Sequence, residues 1–139
     1  MSAADAACGL MVLIVDDEPV NRLVLARMVE LLGSRWLEAA SGDEALDLLR
    51  EQAVDVVLMD IQMPRMNGIE TVEQLRARPG PNREAPVVAL TGDTTRNRRE
   101  YLQLGFDDYA NKPISLAAVQ SMLNARRQIS TNARLRAAG

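Results

Sequence analysis

The sequence predicts an α/β protein in which a doubly wound parallel sheet of five strands carries five helices on both faces. Five apolar segments of strand length alternate with five amphipathic segments of helix length along the 139 residues. Three of the strand segments are almost continuous runs of Val, Leu and Ile, which is typical of parallel strands buried on both faces. Strict alternation requires right-handed crossovers, and these place helices on both sides of the sheet.

The strand segments differ in polarity, and this difference predicts where each strand lies in the sheet. The first, third and fourth are the most apolar, whereas the second and fifth contain polar residues, as strands at sheet edges do. In chain order the predicted strands are residues 10–15, 35–39, 54–59, 86–90 and 107–111.

Local signals mark the ends of several helices. Pro19 suits the first position of the first helix, and Gly33 favours its termination. Ser41 and Glu44 have the spacing of a capping box at the start of the second helix. Ser115 can cap the last helix.

Composition indicates one folded domain and excludes several kinds of chemistry. Apolar residues make up 47% and charged residues 25% of the chain, which is ordinary for a globular domain. The absence of histidine excludes histidine metal ligands, histidine general bases and a phosphohistidine within this chain. The single cysteine excludes an internal disulfide and favours a reducing, cytosolic compartment. The net charge of -3 gives no reason to expect nucleic-acid binding, and without a membrane span or signal peptide no membrane contact is expected.

Five chemically active side chains follow the predicted strands. Asp16 and Asp17 come after the first, Asp60 after the third, Thr91 after the fourth and Lys112 after the fifth. Ligands of open parallel sheets bind beyond the carboxyl ends of the strands, so we expect these groups to converge. Clustered carboxylates without histidine or cysteine favour Mg²⁺. A carboxylate nucleophile, Mg²⁺, an ammonium group and a hydroxyl together make a plausible phosphoryl-transfer site.

Lys112 supports this interpretation independently. The chain contains fifteen arginines and this single lysine, which stands where a compact positive charge would meet a phosphate.

With these motifs in register, residues 11–129 resemble a receiver domain of the two-component response-regulator family. The segment from Asp60 to Gly68, DIQMPRMNG, is similar to the family's phosphoacceptor loop, and the other groups occur in family order. The resemblance implies the flavodoxin-like fold with strand order 2-1-3-4-5. A receiver domain is therefore expected over residues 10–129, and the sequence itself predicts tails at residues 1–9 and 130–139.

The resemblance assigns a role to each site residue. It implies that Asp60 is phosphorylated and that Asp17 binds Mg²⁺ directly. Asp16 would help largely through water, and the backbone carbonyl of Gln62 would complete the protein ligands. Asp60 would itself be a metal ligand in this set.

Other roles concern the phosphoryl group and the response to it. The resemblance implies that Thr91 binds the phosphoryl group and swings toward it, and that Lys112 pairs with its oxygens beside a cis bond to Pro113. Tyr109 would change between outward and inward rotamers. Asp93, like Gln62, would tune the lifetime of the phosphoryl group.

The first helix has more apolar residues than a sheet-covering stripe needs. The stripe is expected to consist of Val24, Leu25, Met28 and Leu32. The extra residues Val20, Leu23 and Leu31 either thicken the core contact or form a docking surface. On the second interpretation, the resemblance implies that Val20, Asn21 and Leu23 meet a histidine kinase or histidine phosphotransfer protein. The Asn21–Arg22 pair resembles receivers of hybrid sensor kinases, whose parent protein would be a histidine kinase.

The function predicted is a phosphoacceptor switch, rather than an enzyme acting on a separate substrate. Its phosphoryl group would come in trans from the phosphohistidine of a partner. It would promote its own phosphorylation and dephosphorylation, and a homodimer through its fourth and fifth helices is left open. A phosphohydrolase of the haloacid dehalogenase type would need an aspartate where Gln62 stands. A flavin or nucleotide binder is disfavoured because acids after the first strand repel phosphate. A receiver-shaped interaction module acting without phosphorylation is the remaining alternative.

Overall fold

A five-stranded parallel sheet forms the centre of the computed structural model, which describes residues 9–138, with side chains of the last helix described up to residue 127. The strands lie in the order β2-β1-β3-β4-β5, which confirms the predicted topology. They are β1 (Met11–Val15), β2 (Arg35–Ala39), β3 (Val56–Asp60), β4 (Val87–Thr91) and β5 (Asp108–Asn111). The predicted N-terminal tail lies almost entirely outside the described residues.

Five helices connect and follow the strands in the described part of the chain. They are α1 (Pro19–Leu31), α2 (Gly42–Glu51), α3 (Gly68–Ala77), α4 (Arg98–Gln103) and α5 (Leu116–Ala138). Helix α5 continues through residues 130–138, which the sequence predicts to be a tail, whereas the predicted domain boundary itself stays a prediction. Within residues 9–138, no helix has both the length and the apolar character needed to cross a bilayer.

Two apolar layers cover the sheet because successive residues of each strand point to opposite faces. In β1, Leu13 and Val15 belong to the layer beneath α2, α3 and α4, while Val12 and Ile14 belong to the layer beneath α1 and α5. All four are fully buried. This double burial explains why the central strands are continuous apolar runs.

Helix α1 packs through most of the predicted stripe, with Val24 as the exception. Leu25, Ala26 and Val29 are its buried residues, and Met28 and Leu32 pack at the margin. The assignment of Val24 to the sheet-facing stripe is wrong, because this side chain is 47% exposed. One position along a helix turns a side chain by about 100°, so Val24 lies beside the buried face set by Leu25.

Side chains cap the starts of α2, α3, α4 and α5, whereas α1 begins without a side-chain cap. The Ser41 hydroxyl accepts a hydrogen bond from the Glu44 amide, as predicted, but the Glu44 carboxylate accepts one from the Ala40 amide rather than from that of Ser41. Complete capping boxes occur instead at α3 and α4, where Asn67 and Asn97 are the capping residues. The hydroxyl of Ser115 accepts a hydrogen bond from the third residue of α5, as predicted.

Asn82 fastens the loop before β4 to the end of α2. Its side-chain amide donates to the carbonyls of Leu49 (2.7 Å) and Gln52 (2.6 Å) and accepts from the Val54 amide (3.0 Å). Asn82 is 2% exposed, so water cannot replace these bonds.

Replacing Asn82 by alanine is therefore expected to lower the free energy of unfolding by about 3 kcal/mol, because three backbone groups lose their partner. Urea denaturation measures this change as a lower midpoint at an unchanged slope. Glu84→Ala, at an exposed position of the same loop, is the control and should leave the midpoint nearly unchanged. Equal midpoints for the Asn82 variant and the parent would contradict this account of the loop.

Candidate functional site

Three carboxylates meet at the carboxyl edge of the sheet. Asp16 and Asp17 directly follow β1, and Asp60 ends the neighbouring strand β3. One carboxylate oxygen from each lies within 4.8 Å of the others. Asp16 and Asp60 are buried, at 0% and 3% exposure. Three negative charges at such distances, two of them shielded from water, repel one another unless cations lie between them.

Asp60 accepts hydrogen bonds from one backbone group and one side chain. Its Oδ1 atom accepts hydrogen bonds from the Gln62 backbone amide at 3.2 Å and from the Lys112 ammonium at 2.9 Å. Burial raises the pKa of Asp60, and the charge of Asp16 raises it further, although the bond from Lys112 opposes both effects. Folding without a metal ion therefore disfavours the charged form of Asp60.

Lys112 joins the fifth strand to the acidic cluster. Its ammonium nitrogen is 2.9 Å from Asp60 Oδ1 and 3.6 Å from Asp16 Oδ2. Burial alone would lower the pKa of Lys112, but the hydrogen bond to Asp60 and the charges of both aspartates raise it above its usual value. The Lys112–Pro113 peptide bond is cis, as the family resemblance implies. Lys112 is therefore a charged neighbour of the nucleophile candidate.

The donor set fits a hard divalent cation. Asp16 Oδ2 is buried and has no hydrogen-bond partner within the described part of the chain, since Lys112 is an ion-pair neighbour beyond hydrogen-bond range. This oxygen and the Asp17 and Asp60 carboxylates provide oxygen donors alone, the kind that Mg²⁺ prefers. A cation there would satisfy the unpartnered oxygen and offset the mutual repulsion of the carboxylates.

The loop that follows Asp60 depends on a glycine. The Gly68 amide donates to the Ile61 carbonyl at 3.0 Å and brings the start of α3 against the end of β3. A Cβ atom at Gly68 would lie 2.5 Å from the backbone oxygen of Asp60. The last residue of the DIQMPRMNG segment is therefore fixed by close packing beside the acidic cluster.

Thr91 lies at the end of β4, next to the strand of Asp60. It is 1% exposed, and its carbonyl accepts a hydrogen bond from the Lys112 amide at 2.8 Å. Its hydroxyl accepts one from the Asp93 amide at 2.9 Å. Hydrogen bonds from the side chain and backbone of Thr95 hold the pKa of Asp93 below its usual value. The loop after β4 is therefore organised around the Thr91 hydroxyl and the ionised Asp93 carboxylate.

Tyr109 lies apart from the contacts of the acidic cluster. Its half-buried ring stacks on Tyr101 of α4 with the ring centres 5.0 Å apart. Tyr101 in turn meets Phe106 edge to face at 5.9 Å. The structure thus connects Tyr109 to the core beneath α4, and its rotamer change stays a prediction.

The predicted docking residues are on the surface. Val20 is 68% and Leu23 56% exposed, and Asn21 is also exposed. An open cavity of about 390 Å³ connects the start of α1 with the loop after β5. Its lining includes Asp16, Asn21, Val24, Leu25, Leu90, Lys112, Pro113 and Ile114. The exposed start of α1 and the acidic site therefore share one concave surface.

Sequence reasoning gave no structural role to Arg22. Its guanidinium donates to the Asp16 carbonyl at 2.7 Å, and its Nε atom is 3.4 Å from Glu38 Oε1. The only sequence signal was its place beside Asn21 at the start of the first helix.

Comparison with known proteins decides the family. The profile of the response regulator receiver domain matches residues 12–124. The chain belongs to that family. This receiver is 40% identical over 107 residues to the sensor protein GacS of Pseudomonas syringae pv. syringae, covering 75% of this chain and 12% of that protein. It is 36% identical over 115 residues to the aerobic respiration control sensor protein ArcB of Escherichia coli, covering 83% of this chain and 15% of that protein.

A solved structure resembles the receiver in both fold and sequence. It is the receiver domain of the sensor histidine kinase PA1611 from Pseudomonas aeruginosa, with a TM-score of 0.77 and 34% identity. The similarity covers 86% of this chain and 98% of that chain. That crystal structure has a magnesium ion coordinated in its active site cleft. The comparisons place this receiver in two-component signal transduction.

Proposed function

We propose that this receiver is a phosphoacceptor switch, in which a phosphoryl group passes from a partner's phosphohistidine to Asp60 in a Mg²⁺-dependent reaction. The observation that carries the proposal is the contact between the buried Asp60 carboxylate and the Lys112 ammonium at 2.9 Å. In the proposed reaction, this contact would bring a nucleophile and a positive charge together at the edge of the sheet where an anion can enter. The donor histidine would lie outside these 139 residues, which contain none.

The proposed reaction is a displacement at phosphorus. An Asp60 carboxylate oxygen forms a bond to phosphorus while the bond to the histidine nitrogen breaks. The electron pair stays on that nitrogen, and a proton from water completes the neutral imidazole. Lys112 stabilises the negative charge on the phosphoryl oxygens, and the Thr91 hydroxyl supplies a further donor. Bound by Asp16, Asp17, Asp60 and the Gln62 carbonyl, Mg²⁺ would neutralise part of that same charge.

The same residues would convert phosphorylation into a change of shape. In the phosphorylated receiver, the Thr91 hydroxyl leaves the Asp93 amide, which it contacts at 2.9 Å in this structure, and donates to the phosphoryl group. Tyr109 then changes rotamer and its stacking on Tyr101. The acyl phosphate would thus bias two arrangements of the sheet edge that includes β4 and β5.

The proposed partner is a histidine kinase or a histidine phosphotransfer protein that docks on α1. Val20 and Leu23 would supply exposed apolar contacts, and Asn21 lines the same cavity as Lys112. The receiver spans 12% of the sensor protein GacS and 15% of the sensor protein ArcB. We therefore also propose that it is one domain of a hybrid sensor kinase. We place it in the cytoplasm, where the single cysteine would stay reduced.

Phosphoramidate tests the proposal because its phosphorus–nitrogen bond resembles that of phosphohistidine. Intact mass spectrometry of the receiver after incubation with phosphoramidate and Mg²⁺ should show the addition of one phosphoryl group. The same incubation with EDTA should show little or none. No mass gain under conditions in which the PA1611 receiver domain reacts would favour the module that acts without phosphorylation.

A further inference from the structure

Arg22 connects the acidic loop to two other parts of the fold. Its side chain is 18% exposed and extends from the first turn of α1. Nη1 donates to the carbonyl of Asp16 at 2.7 Å, and Nε is 3.4 Å from Oε1 of Glu38 on β2. The other carboxylate oxygen of Glu38 is 3.4 Å from the indole nitrogen of Trp36, its donor. The guanidinium is therefore held by the Asp16 carbonyl and by the Glu38 carboxylate.

The contacts of Asp16 show what Arg22 holds in place. The Asp16 amide donates to the Ala39 carbonyl at 3.1 Å, and Oδ1 accepts from the Glu18 amide at 2.9 Å. With the carbonyl occupied by Arg22, Oδ2 is the one polar atom of Asp16 that lacks a hydrogen bond to any described residue. That atom is the one beside Lys112.

The carbonyl of Asp16 belongs to the peptide unit that joins it to Asp17. Peptide units are planar, so a hydrogen bond to this carbonyl restricts the rotation of the whole unit. The directions in which both carboxylates leave the backbone depend on that orientation. Arg22 thus acts on two candidate metal ligands through one contact.

We propose that Arg22 is a positioning residue for the metal site, which sets the Mg²⁺ affinity by holding the Asp16–Asp17 peptide unit. The inference rests on the proposed function, because it concerns the cation that the acidic cluster would bind. Removing residues that orient metal ligands typically weakens metal binding by about 10- to 100-fold.

Loss of the Arg22 charge and loss of its contact with the Asp16 carbonyl would change the Mg²⁺ affinity in opposite directions. The sign of the change therefore tests the inference. The positive charge of Arg22 by itself repels a cation, so its removal should tighten Mg²⁺ binding if charge were the only effect. Loss of positioning should weaken binding. Arg22→Met separates the two by the sign of the change, and Arg22→Lys keeps the charge but cannot reproduce the two-ended contact of the guanidinium.

Isothermal titration calorimetry with Mg²⁺ on the intact chain provides the test. We expect the dissociation constant to rise about tenfold in Arg22→Met and Arg22→Lys. Arg27→Met is the matched control, because Arg27 lies on the same helix and pairs with Glu30 at the surface. It should leave the dissociation constant within about twofold of the parent value.

Thermal unfolding in EDTA distinguishes positioning from a general structural role. A lower melting temperature with an unchanged Mg²⁺ dissociation constant, or tighter binding in Arg22→Met, would overturn the inference and leave the proposed function intact. If one variant does not fold, the other decides by the same criterion. A parent protein that binds no Mg²⁺ but is phosphorylated by phosphoramidate would overturn the inference and the Mg²⁺ dependence, not the acceptor role.

Discussion

Asp60→Asn is expected to abolish phosphorylation and, without Mg²⁺, to unfold at a higher temperature than the parent at neutral pH. The variant keeps the shape of the side chain but removes the nucleophilic oxygen. It also removes a buried charge, and the structure gives that charge an unfavourable setting, since burial and Asp16 raise the pKa of Asp60. We expect a gain of roughly 0.5 to 2 kcal/mol in the free energy of unfolding.

The pH dependence of this gain has a defined sign. A carboxyl group whose pKa is higher in the folded state contributes its full stability below its unfolded pKa, and this contribution is lost as the pH rises through the folded pKa. The parent should therefore approach the stability of Asp60→Asn on acidification toward the ordinary aspartate value of 3.8. Denaturant unfolding of both proteins in EDTA across this pH range measures the effect.

Mg²⁺ should reverse the order of stability. At a concentration about one hundred times its dissociation constant, a ligand that binds only the folded state stabilises it by about 2.7 kcal/mol. The variant has lost one of three clustered carboxylates and should gain much less. If Mg²⁺ stabilised the two proteins equally, Asp60 would not be a metal ligand.

Lys112→Met is expected to slow phosphorylation by about 10²- to 10³-fold, the usual effect of removing one donor to a developing negative charge. The ammonium is 2.9 Å from Asp60 Oδ1, and methionine retains much of its length without the charge. Lys112→Arg should also be slow, because a planar guanidinium does not reproduce a compact ammonium group.

Initial rates of acyl phosphate formation from phosphoramidate, at saturating Mg²⁺, measure the effect of Lys112. Arg99→Met on α4 is the control, since it removes a positive charge from an exposed position. Its rate should stay within about twofold of the parent rate. A Lys112→Met rate as high as that of the control would exclude Lys112 from the reaction.

The fold and the centre of the site could be predicted because each depends on a local pattern. Continuous apolar runs mark strands covered on both faces, and the carboxyl ends of parallel strands share one edge. Asp16, Asp60, Thr91 and Lys112 therefore had to lie near one another once the strands were placed. The strand order itself was implied by the resemblance to the receiver family.

Contacts between a side chain and distant backbone groups could not be predicted in the same way. Arg22 and Asn82 act on carbonyls and amides, which every residue possesses, so the sequence contains no partner to recognise. The error at Val24 has a related cause: several stripes of α1 are apolar, and only packing selects the one that is buried. The length of α5 could not be predicted either, because residues 130–138 contain no apolar stripe strong enough to indicate a helix.

Identification of the acceptor residue tests the central claim most directly. Borohydride reduces an acyl phosphate of aspartate to homoserine and leaves free carboxylates unchanged, so peptide mass spectrometry after phosphoramidate, Mg²⁺ and borohydride locates the acceptor. We expect homoserine at position 60 alone, dependent on Mg²⁺ and absent from Asp60→Asn. Homoserine at position 16, 17 or 93 instead would contradict it.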